Sequence, residues 1–511
     1  MSADLFVKDA RVLTLDPDGT EHARASIAIA DGVITAIGPD LPEPDSPKAG
    51  GTETRVIDAR GLLAMPGLIN GHFHSPGNFT KGAVPNLPLE LFMLYEVPPL
   101  MTDPVSDRFA YIRTLLGAAE MLKQGVTGVH DDAFFLPIPT HGEVDSVMRA
   151  YVDSGMRAAV TLDQPNVVEY DKYPFLEGLL PEDVRARMRA APRMTDAELH
   201  EAYQWFIATW HGAAAGRVGA AVSCSAPQRV TPEHLQQLDA LSAEHDIPYN
   251  MHILETRLQR VLGQERLGRS LVRYVHDMGV LTERAMVIHS IWVDAEDIAL
   301  MAQSGCSIAH NPVSNLKLGS GVMPWRRIRD AGINICLGTD EANVDDGVNL
   351  WSTVKLAGLI HNIGTPDYTQ WPQPLELLRA ATAGGAVAMR RGGRTGVLGP
   401  GYDADLILID LDELPFVPLN DLPRQLVYCE PGWAVRTTIV AGAVVMQNGT
   451  PTGFDERQVK AEARELAAEF VGYMESCRAG VDELEPYYAE MYRRTLAQAV
   501  PMHRWTGPMI P

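Results

Sequence analysis

Six ionisable residues stand where apolar runs of the sequence end. His72 and His74 close "GLINGHFH". They lie two apart, and a strand repeats its side-chain direction every two residues, so both imidazoles face one side. His252 closes "IPYNMHIL" and Glu255 follows it by three residues; His289 closes "AMVIHS" and Asp340 closes "INICLGTD". Burying these imidazoles and carboxylates unpaired is costly. A divalent cation removes most of that cost, because neutral imidazoles and ionised carboxylates are its ordinary ligands. The chemistry of such a centre is hydrolytic, since a bound divalent ion makes hydroxide available at neutral pH.

The elements that must position these residues follow from the patterning. Eight short apolar runs succeed one another: "GLINGHFH", "GVTGVHDD", "MRAAVTL", "RVGAAVSCSA", "IPYNMHIL", "AMVIHSI", "CSIAH" and "INICLGTD". Amphipathic stretches such as "DRFAYIRTLLGAAEMLKQG" and "TPEHLQQLDALSAEHD" separate several of them. Strands alternating with helices in this way predict an α/β chain folded as a parallel (β/α)8 TIM barrel, whose strand C-termini carry the chemistry. Both chain ends read as β, with alternating runs "DLFVKDARVLTL", "ASIAIADGVITAIG", "GVLGPGYDADLILIDL" and "VRTTIVAGAVVMQNG". The expected division is a small β-sandwich domain built from 1–64 and 392–453, a metal-dependent barrel over 65–391, and a helical C-terminal extension over 454–511. The last of these ends in an aromatic, Pro-rich tail suited to packing or subunit contact.

The chain has 511 residues and a formal net charge of −22. That charge argues against nucleic acid and anionic lipid as partners and for a small-molecule substrate. No stretch reads as a signal peptide or a membrane span. The cysteines (Cys224, Cys306, Cys336, Cys429 and Cys477) show no paired spacing. They read as free thiols of a cytoplasmic protein.

The motifs "PGLINGHFH", "MHILET", "VIHSIWVDAEDIALMAQSGCSIAHNPVSNLKLGSG" and "GINICLGTDEA" resemble those of the amidohydrolase superfamily. The resemblance runs to about residue 450. It is strongest to the branch holding S-adenosylhomocysteine/methylthioadenosine deaminases, guanine deaminase-like enzymes and s-triazine hydrolases. It implies one Zn²⁺, or Fe²⁺, held by His72, His74, His252 and Asp340. It implies Glu255 as proton shuttle and His289 as a hydrogen-bonding partner of the metal's water, close enough in some relatives to be a ligand. Elementary chemistry agrees. Such a ligand set leaves zinc an open position. Glu255 can take a proton from water and return it to a departing nitrogen, while His289 and Asp340 orient the nucleophile. Two-metal relatives bridge their ions with a carboxylated Lys at the fourth strand, or with a Glu; "GRVGAAVSCSAPQ" has neither, so one metal is expected.

The chain departs from the family pattern in two places. Ser225-Ala226-Pro227-Gln228 stands where nucleoside deaminases of this branch show His-Ala-Pro-Tyr, which removes a substrate-contacting His. Gln228 is then either a contact to a lactam- or amide-like edge or a solvated loop residue. Glu341 follows Asp340 where relatives have Gly; it adds charge near the metal or faces away. Residues 84–100 form either a helix packed on the barrel or a lid over substrate. Phe79, Phe92 and Trp325 are candidates for aromatic walls, His310 and Asn311 for scaffold or substrate contacts, and His130 for a pocket or buried supporting histidine. The reading favours a deaminase or aminohydrolase that attacks a C–N bond of a planar N-heterocycle. The alternative is hydrolysis of an amide, urea or carbamate at the same site. A homodimer or higher homo-oligomer is expected.

Overall fold

The computed structural model describes residues 3–44 and 54–505. Every one of the eight apolar runs is a strand. The first three barrel strands are Leu68–His74, Val126–Asp131 and Arg157–Val160. The fourth is Val218–Ala220 continued by Val222–Ser223. Tyr249–Ile253, Ala285–His289 and Ser307–His310 follow. The eighth is Asn334–Leu337 continued by Asp340–Glu341. All pair in parallel. The fourth and eighth runs each bridge the two five-stranded arcs, so the ring closes as a (β/α)8 barrel.

The break in the eighth strand is held from the first. Thr339 N donates to Asn70 Oδ1 (3.0 Å), and Asn70 Nδ2 donates back to Thr339 Oγ1 (2.8 Å). Gly338 is required there, because a Cβ would lie 2.8 Å from the His72 backbone nitrogen.

Strands from both chain ends hydrogen-bond as one nine-stranded sheet. Leu62–Pro66, from the N-terminal part, pairs antiparallel with Leu406–Asp410, from the C-terminal part. The Asp31-Gly32 turn joins Glu21–Ala30 to Val33–Gly38 with positive φ at both residues, the geometry a two-residue hairpin demands. One face of this sheet encloses its own apolar core around Val7, Ile27, Leu406 and Ile439. Ile407, Ile409 and Val440 belong instead to the large core of the barrel. A buried ion cluster ties the two together: Arg157 meets Asp405 at 2.5 Å and Asp403 at 3.1 Å.

Two excursions build over the C-terminal ends of the strands. The first, after the first strand, contains the helix Leu89–Glu96. The second, after the third strand, contains Leu176–Leu179 and Glu182–Ala190. A helix of 41 residues, Glu456–Leu496, packs on both. Its Val481, Leu484, Tyr488 and Met491 join Leu94, Tyr173, Leu176 and Met188 in one apolar cluster. The aromatic tail packs on its own chain. Arg504 donates to the carbonyls of Ile291 and Val293 (2.8 and 2.6 Å), and Trp505 Nε1 donates to that of Gly319 (2.8 Å). Residues 506–511 of that tail lie outside the described residues.

Candidate metal centre and active site

His72, His74, His252, His289, Glu255 and Asp340 converge at the C-terminal end of the barrel. Asp340 Oδ1 lies 3.4 Å from His72 Nε2 and 3.5 Å from His74 Nε2, and its Oδ2 lies 3.7 Å from His289 Nε2. The rings of His72 and His252 are 4.9 Å apart, and those of His74 and His252 stack at 5.3 Å. Three of the four rings are anchored through Nδ1. His74 Nδ1 donates to the Asp132 carbonyl (2.6 Å) and His252 Nδ1 to the Ser225 carbonyl (2.7 Å). His289 Nδ1 lies 2.9 Å from Asn315 Oδ1. A carbonyl acceptor fixes the proton on Nδ1, which leaves the Nε2 lone pair free to ligate.

The strand ends are bent to achieve this. Ser225, Leu254, His289 and Asp340 all have φ between +53° and +71°. Each non-glycine residue there stores about 1–3 kcal/mol, strain characteristic of functional sites.

These donors fit a divalent cation. His72 is fully buried, yet neither ring nitrogen has a hydrogen-bond partner, an arrangement costly without a ligand. Among the described residues, two sets place their ligand atoms within 4.8 Å of one another: His72, His74, Asp132 and His252, and His72, His289 and Asp340. They share His72 and therefore describe one centre. Burial pushes the His72 and His252 imidazoles down, towards the neutral form that ligation needs. Burial opposes the charge on Asp340 too, but the adjacent His72 ring and the surrounding imidazoles outweigh it and hold the carboxyl well below its ordinary range. Asp340 also accepts from Ser314 Oγ (2.7 Å) and from the Glu341 backbone (2.9 Å). Imidazole nitrogens with a carboxylate oxygen form the ordinary donor set of zinc.

Glu255 sits beside this centre, its Oε2 3.6 Å from His289 Nε2. Burial, with the nearby carboxylates of Asp340 and Glu90, pushes its carboxyl well above the usual range. The backbone of Glu255 is fixed by Gln259, whose Oε1 accepts from its N–H (2.9 Å).

The centre opens into a cavity of about 150 Å³. Phe92, Met93, Val97 and Met101 of the first excursion line one side, so residues 84–100 are both a packed helix and a wall of the site. Glu341 also lines the cavity, and burial and the adjacent Glu96 push its carboxyl well up.

The expected substrate contacts fall elsewhere. Gln228 is off the lining; the next residue, Arg229, takes the place, because the short 3-10 turn Pro227–Arg229 directs that side chain inward. His310 is buried with its Nε2 3.0 Å from His361 Nε2, and Trp325 packs on both rings. Both therefore support the barrel wall rather than the cavity surface. Phe79 packs against Phe109 with the rings tilted at 45°. His130 is fully buried off the cavity, and burial lowers its imidazole to about 3. Residues not singled out from sequence complete the site: Asp132, Asp163, Arg229 and Glu96. The acidic end of "GVHDD" was the one signal available for Asp132.

The family model described as the amidohydrolase family matches residues 63–445. A 5'-deoxyadenosine deaminase of Methanosarcina mazei is 31% identical over 474 residues, covering 93% of this chain and all of that protein. A 5-methylthioadenosine/S-adenosylhomocysteine deaminase of Nitratidesulfovibrio vulgaris is also 31% identical, covering 91% of this chain and 97% of that one. Among solved structures, the zinc complex of atrazine chlorohydrolase from Arthrobacter aurescens TC1 superposes with a TM-score of 0.81 at 25% identity, covering 91% of this chain and all of that chain. A zinc-bound adenosine deaminase from Xanthomonas campestris gives 0.75 at 26%, covering 91% and 97%. With a histidine-carboxylate centre at the mouth of a closed (β/α)8 barrel and a family match over most of its length, the chain belongs to the amidohydrolase family.

Proposed function

We propose that this protein is a deaminase or aminohydrolase that breaks a C–N bond of a planar N-heterocycle at a mononuclear centre and releases ammonia or an amine. The observation that carries the reading is the placement of Glu255, buried beside His289 and the Asp340 cluster at the floor of the cavity. Three imidazoles, His72, His74 and His252, with Asp340 would hold the cation. When bound, a divalent ion supplies Lewis acidity that makes water ionise near neutral pH. Glu255 takes the water proton and returns it to the leaving nitrogen. His289, held by Asn315, and Asp340, held by Ser314, orient the nucleophile. The relatives named for deoxyadenosine and methylthioadenosine deamination support a ring amine as leaving group. The cavity's polar edge, with Asp163 and Arg229, supports a ring over an anilide or aryl urea, which would need a longer apolar channel.

The reading extends to the whole protein as a cytoplasmic homodimer or higher homo-oligomer, for which light scattering of the purified protein is the check. Among the described residues no helix is long and apolar enough to cross a membrane. The function is tested by product analysis of the metal-loaded enzyme against aminated heterocycles, N-alkylated triazines, aryl ureas and anilides. Conversion of a ring amine to a ring oxo group with release of ammonia is expected. Cleavage of the open ureas or amides with every ring left intact would replace this reading with the amide one.

A further inference from the structure

Arg229 lines the cavity near Asp163, Glu169 and Glu255, and among the described residues it makes no ion pair with a carboxylate within 4 Å. Its Nη1 donates to Ser225 Oγ at 3.1 Å, and among the described residues its other guanidinium N–H groups meet no protein acceptor. A guanidinium carries five N–H donors in a fixed planar fork, so most of this fork is uncommitted. Ser225 anchors the guanidinium and itself holds a left-handed φ of 59°. On the other side, Ser225 neighbours Asp163 in the cavity lining. Asp163 is 5% exposed, lines the cavity, and its Oδ1 has no partner. Arg229 O also accepts from the backbone N–H of Asn166 (3.1 Å), which locks the loop after the fourth strand to the loop after the third. Donor and acceptor are thus held side by side on one rigid wall.

Charge restricts what meets this wall. Glu96, Asp163, Glu169, Glu255, Asp340 and Glu341 all line the cavity. Lys172 is neutralised by Glu169 at 2.6 Å, and Arg193 is committed to backbone carbonyls at 3.0–3.2 Å. An anionic substituent would meet this acidic lining. An uncharged ring with one acceptor for Arg229 and one N–H for Asp163 leaves neither side chain unpaired.

We infer that Arg229, held by Ser225, and Asp163 form a donor–acceptor edge that selects an uncharged aminated ring bearing a carbonyl beside a ring N–H, over an aminated ring that lacks the carbonyl. This rests on the deaminase reading and narrows its substrate. A site built to hydrogen-bond a group rejects analogues without it, because its own buried polar atoms are then stranded.

The test compares kcat/KM of the zinc-loaded protein, and of Arg229→Met, Arg229→Lys and Ser225→Ala, on a 2-amino-4-oxopteridine and on adenosine. Calorimetric binding of the corresponding dioxo product ring is measured beside it, in each protein with and without metal. Wild type is expected to prefer the amino-oxo ring. Arg229→Met should lose roughly 10- to 100-fold on that ring and far less on adenosine. Arg229→Lys, which keeps the charge and loses the fork, should recover only part of the loss. Equal losses on both rings, or a wild-type preference for adenosine, overturn the inference. If Arg229→Met does not fold, Ser225→Ala frees the guanidinium without removing it and must shift the ring preference in the same direction. If neither ring turns over, the deaminase reading fails by itself. Binding then still decides the inference: an Arg229-dependent affinity for the oxo ring upholds it, and an affinity indifferent to Arg229 sinks it.

Discussion

Asp340 and Glu255 are both buried carboxyls within reach of His289, yet their surroundings give them opposite tasks. Asp340 is stabilised as an anion by imidazoles and by hydrogen bonds from Ser314 and the Glu341 backbone. Among the described residues Glu255 has no such donors on its carboxyl, and burial with the nearby Asp340 and Glu90 pushes it above the ordinary range. A ligand must stay charged, whereas a shuttle must gain and lose a proton. Asp340→Ala should therefore lose bound zinc and activity together, read by metal analysis of the purified variant. Glu255→Gln should keep zinc and KM while kcat falls by roughly 10²- to 10⁴-fold. A Glu255→Gln enzyme turning over at the wild-type rate would send the search for the base elsewhere.

The elements over the strand ends depend on one another. The excursions that wall the cavity hold little core of their own. They are stapled by the long helix Glu456–Leu496, whose Leu484 is 1% exposed between them. Leu484→Ala leaves a cavity at that junction and should cost about 2–5 kcal/mol, read from denaturant unfolding. Because Met188 belongs to both this cluster and the substrate cavity, KM should rise in the same variant with the zinc content unchanged.

At the scale of the whole molecule, barrel and terminal sheet are joined by charges as well as by apolar packing. Arg157, 6% exposed, reaches from the third strand to Asp403 and Asp405. Arg157→Met takes from the buried Asp405 its cationic partner, while Asp403 keeps Arg391 at 2.6 Å and Arg394 at 3.2 Å; it should destabilise the fold by about 3–5 kcal/mol, visible as a lowered unfolding midpoint. The pH profile is set by groups such as Glu143, which burial raises to about 7 despite the Arg113 guanidinium. Its carboxyl holds a proton in the folded chain that the unfolded chain has released by about pH 5. Its contribution is therefore complete below the unfolded value and is lost as pH rises through about 7. Unfolding free energy should fall between those limits, and Glu143→Gln should flatten that part of the curve.

Periodicity alone determined the barrel, because each strand is buried on both faces and reads as an apolar run wherever its partners lie. The ionisable residues at the ends of those runs were legible for the same reason: imidazoles and carboxylates that close successive buried strands need a shared ligand to offset their desolvation. The terminal sheet was legible in its alternation, although its pairing of Leu62–Pro66 with Leu406–Asp410 spans most of the chain and leaves no local trace. The cavity's edges were not legible. Gln228 and Arg229 are neighbouring polar residues, and only the turn at Pro227–Arg229 decides which one faces inward. His310 and Trp325 belong to suggestive motifs, yet they are absorbed by packing against His361, which lies 51 residues from His310. Residues follow their own chemistry along the chain. Which of them reach the substrate is settled by backbone direction at strand ends and by distant elements packing over them, which only the tertiary structure supplies.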